Sequence, residues 1–251
     1  MHNIFQQLKD DHSVLKLQNN CVEKEKAQIS ELLKDEYVAK KCNRERRILE
    51  HIRHIETYGE ELLNIVPQKK LVIDIGPGPG EFLEICRFLG YDIKGYDTCL
   101  SECEMGDEYV LFSSLLAKQQ QLDIEYVGFE NLISSLPFED SSTYFINSRG
   151  SIEQVFKDHL IGVPHRVHKN SAYLCWNISE ELKNKFIVFL KEIERILEPG
   201  GVFLIFGNGA MNTKEYDKLL KETISQTPSL YLDEKYMFEN RLHKIIKGTT
   251  P

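Results

Sequence analysis

The chain has 251 residues, enough for one α/β domain with accessory elements. Hydrophobic residues make up 41% and charged residues 28%, an ordinary globular composition, and no apolar run approaches the ~18 residues that span a bilayer. The formal charge of −8 argues against binding that neutralises a phosphate backbone, so nucleic acid is not an expected partner. Residues 1–10 lack the basic stretch and apolar core of a secretion signal, and a cytoplasmic location is expected. Six cysteines, at positions 21, 42, 86, 99, 103 and 175, are scattered and read as reduced thiols. Cys99 and Cys103 have no second Cys or His pair at matching spacing, so no metal is expected.

The first ~66 residues are rich in Lys, Glu, Gln and Leu, with apolar residues at helical spacing such as Ile29, Leu32, Leu33 and Tyr37. A second helix is predicted from Arg44 to Ile65, with Ile48, Leu49, Ile52, Ile55, Tyr58, Leu62 and Leu63 on one stripe that packs on the sheet edge. Residues 1–66 are therefore a helical extension, serving as lid or oligomer contact of a monomer or homodimer, and 67–251 form the main domain. Leu71-Val72-Ile73-Asp74-Ile75 reads as a buried parallel strand entering a glycine turn, followed by a helix over Glu81–Leu89 that Gly90 closes. A second strand over Tyr91–Asp97 completes a β-α-β unit.

Further strands are predicted at Ile124–Val127, Thr143–Asn147 and Gly201–Phe206, with an amphipathic helix over Phe186–Leu197 and a turn at Pro199-Gly200-Gly201. The segment 229–247 alternates as a last pair of strands around Glu239-Asn240. The pattern predicts an α/β fold, a Rossmann-like doubly wound and mostly parallel sheet with an antiparallel strand pair at its C-terminal end.

A glycine loop between a strand and a helix is a general nucleoside platform, because glycines let a ligand approach the backbone and the helix start offers N–H groups. Here the spacing is G-x-G-x-G over Gly76, Gly78 and Gly80, and the intervening Pro77 and Pro79 have no N–H to donate. Glu81 at the helix start repels a dianion and tolerates a cation. Asp97, at the end of the second strand, can accept both hydrogen bonds of a ribose diol.

Val72-Ile73-Asp74-Ile75-Gly76-Pro77-Gly78-Pro79-Gly80 resembles the first motif of class I S-adenosylmethionine-dependent methyltransferases of the type 11 kind. Leu136-Pro137-Phe138-Glu139-Asp140-Ser141-Ser142 and Leu190–Gly201 resemble later segments of that family in the same order, so the likeness covers 70 to about 206. It implies S-adenosylmethionine as cofactor, a cation without phosphate, with S-adenosylhomocysteine as product. It places Asp74, Gly76, Pro77, Gly78 and Gly80 around the methionine moiety, Asp97 at the ribose and Glu130 or Asn131 near the adenine. Ser148-Arg149-Gly150-Ser151 resembles the segment after the fourth strand, adding Ser148 to the cofactor side, and Gln154 stands where many members have histidine. A weaker likeness, from size and the helical start, is to bacterial methyltransferases of surface glycans, and with it a role in capsule biosynthesis.

Between Val155 and Lys185 the chain is about 20 residues longer than a minimal fold requires. This insertion, about 156–185, contains His159, His165, Arg166, His168, Tyr173 and Trp176 and borders the crevice at the strand ends. The leading expectation is O-methylation of a small polar metabolite carrying sugar, phosphate or carboxylate groups. A base drawn from His159, His165 or His168 removes the acceptor proton, and Arg149 or Arg166 holds an anionic group. N-methylation of a small amine and a non-catalytic nucleoside-binding or partner-binding protein of the same fold are the alternatives. An NAD-dependent oxidoreductase is disfavoured by the two prolines and Glu81.

Overall fold

The computed structural model describes residues 34, 47–53, 70–98, 115, 117, 121–152, 155–156, 179–206, 213–233 and 242–249. The stripe at 29–37, the part of the second helix beyond 53 and the turn at Glu239-Asn240 lie outside the described residues, as do Cys99 and Cys103.

Strand β1 (Leu71–Ile75) feeds helix α1 (Glu81–Phe88), and Gly90, with φ 87°, ends the helix in the left-handed region that lets the chain reverse into β2 (Asp92–Thr98). There follow β3 (Ile124–Val127), α2 (Phe129–Ser134), β4 (Thr143–Arg149), α3 (Glu180–Ile196), β5 (Leu197–Phe206), α4 (Thr213–Ile224), β6 (Leu230–Leu232) and β7 (Leu242–Lys247). The sheet order is β3-β2-β1-β4-β5-β7-β6. Strands β1 to β5 pair in parallel, whereas β7 is antiparallel to both β5 and β6. The expected doubly wound sheet with an antiparallel pair at its C-terminal end is the observed fold. Strand order reverses beside β1, which opens a crevice at the carboxyl ends of β1, β2 and β4.

The apolar run of β1 is divided between the two faces of the sheet. Ile73 and Ile75 join the larger core with Leu132 of α2, Phe186 and Phe189 of α3 and Leu219 of α4. Val72 joins a second core with Phe82 and Ile85 of α1, Phe145, Val202, Leu204, and Ile48 and Ile52 of the helical segment 47–53. The expected packing of that segment on the sheet edge is thus corrected: it lies on the face of the sheet, over β1, β4 and β5. Apolar side chains of β4 and β5 on this side need a second cover beside α1, and Ile48 and Ile52, one turn apart, provide it.

Helix α3 begins at Glu180, six positions before the expected Phe186. Ser179 caps it, its hydroxyl accepting the Leu182 N–H at 3.1 Å, with Glu180 and Glu181 in the first turn. The residues expected as a turn before β5 belong to that strand as a bulge: Leu197 pairs with Thr143 and Val202 with Phe145, so residues 198–201 are looped out between them. Helix α3 also fixes the Leu136–Phe138 loop. Glu192 accepts the Leu136 N–H at 2.7 Å, and Arg195 donates to the carbonyls of Leu136 and Phe138 at 3.0 and 2.6 Å.

Phe189 is fully buried and meets the rings of Phe156, Phe186 and Phe203 edge-on or tilted at 5.7–6.0 Å. Phe189→Ala is expected to cost about 3–5 kcal/mol of folding free energy, and Ser179→Ala about 1 kcal/mol, both read by urea unfolding.

Candidate cofactor and acceptor site

The loop after β1 alternates two kinds of backbone. Gly76, Gly78 and Gly80 have φ of 69°, 54° and 86°, open to glycine at no steric cost, while Pro77 and Pro79 hold their own φ by ring closure. The two prolines offset part of the conformational entropy that the three glycines lose on folding. Pro77 and Pro79 are buried, and Gly76 and Gly78 keep some surface towards the crevice. Gly76 also lies against β4's exit: a Cβ there would come within 2.1 Å of Ser151 Cβ.

The N–H groups of this loop are already engaged. Gly76 donates to the Tyr96 carbonyl at 2.7 Å, Gly80 to the Pro77 carbonyl at 3.0 Å, and Gly78 to the Asp97 carboxylate. With prolines at the other two positions, the loop retains no donor for a pyrophosphate. The structure therefore strengthens the argument against a dinucleotide that the two prolines began.

Carboxyl groups surround the loop. Asp74 is 2% exposed, and its Oδ1 accepts the Asn147 Nδ2 hydrogen at 2.7 Å across the β1–β4 pair. Burial pushes its pKa up to about 8; the Asn147 bond and the more distant Arg149 charge oppose this, and the charges of Asp97 and Glu81 add to it. Glu81, almost fully buried at the start of α1, has Arg47 Nε 2.9 Å from its Oε1, whereas its Oε2 has no hydrogen-bond partner among the described residues. Asp97 is half-buried; enclosure raises its pKa to about 6, held back by the N–H groups of Thr98, at 2.9 Å, and Gly78. Two accepted N–H bonds leave the Asp97 carboxylate further acceptor sites for a diol. Open glycine backbone, no phosphate donors and three enclosed carboxyls fit a cationic nucleoside such as S-adenosylmethionine.

At the end of β4, Ser148 is fully buried and its hydroxyl lies 2.8 Å from that of Ser151, which donates to the Ile75 carbonyl at 2.7 Å. Ser148 thus reaches the glycine loop through Ser151. Arg149, expected to hold an anionic group, forms an ion pair with Glu50 at 2.8 Å and lies over the Phe206 ring at 5.7 Å. An anionic acceptor would compete with Glu50 for this guanidinium. On the β3 side, Glu130 and Asn131 are exposed on α2. Glu130 is ion-paired with Lys185 of α3, and Asn131 Oδ1 accepts from Ser135 Oγ at 3.4 Å.

His159, His165 and His168 lie outside the described residues, as do Gln154, Arg166, Tyr173 and Trp176. Among the described residues no group of three or more metal-ligating side chains could hold an ion. Several site residues escaped the sequence reading. Asn147 and Ser151 meet their partners through the sheet, Arg47 and Glu50 through docking of the helical segment 47–53, and none leaves a local spacing signal. Another is His243, 2% exposed on β7, whose Nε2 lies 2.6 Å from Asp217 Oδ1 of α4. Burial lowers its pKa against the opposing effect of Asp217. His243 is in register with Ile205, and Ile205 with Ser148.

Asp74 generates a pH dependence of stability. Its pKa is about 8 when folded and near the ordinary aspartate value of 3.8 when unfolded, so between these values the folded chain holds a proton that the unfolded chain has lost. Folding free energy is expected to fall as pH rises through that window. Asp74→Asn is expected to flatten the decline between pH 5 and 8, measured by urea unfolding at each pH; equal slopes in the two proteins would contradict the assignment.

Comparison with known proteins agrees with this geometry. The family model described as "Methyltransferase domain" matches residues 43–206, a span that includes the helical segment 47–53. No curated protein matches the chain. Among solved structures, the PH0226 protein of Pyrococcus horikoshii is 18% identical, with 82% of this chain and 92% of that chain covered and a TM-score of 0.45. The YcgJ protein of Bacillus subtilis is 14% identical, with 79% and 100% covered and a TM-score of 0.44. A Haemonchus contortus phosphoethanolamine N-methyltransferase, solved with phosphomonomethylethanolamine and S-adenosylhomocysteine, is 13% identical, with 78% and 53% covered and a TM-score of 0.44. At these identities and scores the structures say nothing of the acceptor. The match over more than half of its length shows that the chain belongs to the methyltransferase domain family, and its methyl donor is S-adenosylmethionine.

Proposed function

We propose that this chain methylates an oxygen of a small polar acceptor bearing sugar, phosphate or carboxylate groups. The observation that carries the cofactor half is the glycine loop with every N–H engaged or absent, enclosed by Asp74, Glu81 and Asp97. When bound, S-adenosylmethionine supplies a methyl group on a positive sulfonium for in-line displacement by the acceptor. In this reading Asp97 accepts the ribose hydroxyls, and Asp74, Gly76, Pro77, Gly78 and Gly80 enclose the methionine end. Ser148 braces the loop, and Glu130 and Asn131 border the adenine.

On the acceptor side, the net charge of −8 supports a small acceptor over nucleic acid. An oxygen acceptor must lose its proton, and His159, His165 and His168 are the assigned bases, with Arg149 and Arg166 for an anionic group. Arg149 is suited to this role because its partner Glu50 is one third exposed and can yield to a stronger anion. An amine arriving neutral needs no such base, and N-methylation is the second reading. Sugars belong in the acceptor panel because of the weaker likeness to glycan-modifying enzymes.

Calorimetric titration with S-adenosylmethionine, S-adenosylhomocysteine and NAD is expected to show binding of the first two alone. Asp97→Ala is expected to weaken both by about 10- to 100-fold, through loss of charge-assisted hydrogen bonds. Binding of NAD alone would sink the reading.

With methyl-labelled cofactor and a panel of sugars, sugar phosphates, carboxylates and amines, label is expected in an oxygen acceptor. Replacing His159, His165 and His168 together by Gln is expected to lower that turnover about 10²- to 10⁴-fold. Undiminished turnover would remove these three as bases and turn the test to His243→Gln.

A further inference from the structure

Asp97 and Tyr126 are in-register partners on the parallel strands β2 and β3, so their side chains leave the same face of the sheet about 4.8 Å apart at the backbone. The Tyr126 hydroxyl is buried and has no hydrogen-bond partner among the described residues, although a buried phenol ordinarily finds one. Burial, and after it the nearby Asp97 charge, raises the phenol's pKa, so the group is a donor at neutral pH. No hydrogen bond joins the two side chains, yet one is a donor without an acceptor and the other has acceptor sites left after binding the Thr98 and Gly78 N–H groups. A single group that accepts from one and donates to the other matches both, and an alcohol hydroxyl is such a group. Its position beside the glycine loop is where the cofactor's nucleoside is read to lie.

We propose that Tyr126 is a specificity residue for the cofactor: its hydroxyl donates to one ribose hydroxyl, whose own proton is donated to Asp97, so the pair selects ribose over deoxyribose. This rests on the reading that the ribose sits at Asp97. Tyr126 takes no part in the chemistry of methyl transfer and acts on binding alone.

The test is calorimetric titration of S-adenosylhomocysteine and of its 2′-deoxy and 3′-deoxy analogues into the full chain and into Tyr126→Phe, with thermal unfolding of both proteins. Tyr126→Phe keeps the ring and removes the orphaned hydroxyl, so its melting temperature is expected to equal or exceed that of the natural chain. It is expected to bind S-adenosylhomocysteine roughly tenfold more weakly. The natural chain is expected to lose more than that towards one of the two deoxy analogues, which also removes the bond to Asp97, and the two proteins to bind that analogue alike, because the hydroxyl to which Tyr126 donates is gone from it. If the natural chain discriminates and Tyr126→Phe discriminates equally, or if all three ligands weaken by one factor, the Tyr126 proposal falls alone. If the natural chain binds all three ligands equally, the ribose reading at Asp97 falls with it.

Discussion

The site depends on how the loop after β1 spends its backbone hydrogen bonds. Gly76 donates to Tyr96 and Gly78 to Asp97, so two of the three glycine amides tie the loop to β2, and the third closes a turn on Pro77. A loop of the same shape with free amides would suit a phosphate. This one presents glycine backbone without donors, and what it offers a ligand is close approach and the field of nearby carboxyls. The bond from Gly78 also fixes Asp97, so loop and ribose-binding candidate form one rigid unit.

Crowding of acidic groups is the cost of that arrangement, and the helical segment 47–53 offsets part of it. Arg47 meets Glu81, while Glu50 neutralises Arg149 at the end of β4. The same segment buries Ile48 and Ile52 on the sheet and sets His51 against Phe82, so apolar packing holds the charges in place. Among the described residues Asp74 receives the neutral amide of Asn147 directly, and burial keeps its proton on. In the proposed site, a cation beside Asp74 would favour its ionised carboxylate and so couple cofactor charge to its protonation.

Much of the frame was legible in the residues. Strand β1 falls where its apolar run places it, since a strand buried on both faces must be apolar throughout; β3, a half-exposed edge strand, falls where its alternation places it, and α1 ends at Gly90 as its left-handed cap requires. The glycine loop and Asp97 were visible because contiguous residues carry them. The start of α3 lies before the expected Phe186 because Leu182 is the one apolar residue between Glu180 and Lys185 and the stripe becomes dense only at Phe186; the Ser179 cap is the signal available. The position of the 47–53 segment was misread because an amphipathic stripe states that a face is buried and not what covers it.

The sequence by itself determined the succession of strands β1 to β5 with α1 and α3 among them, the glycine loop and its lack of proline donors, because these follow from local φ preferences and apolar periodicity. Tertiary structure alone decided which side chains face that loop. Asn147 on Asp74, Ser151 against Gly76, Arg47 on Glu81, Glu50 on Arg149 and Tyr126 beside Asp97 join residues from 29 to 99 positions apart. Such pairs are created by strand register and helix docking, which a single chain's local patterns do not encode.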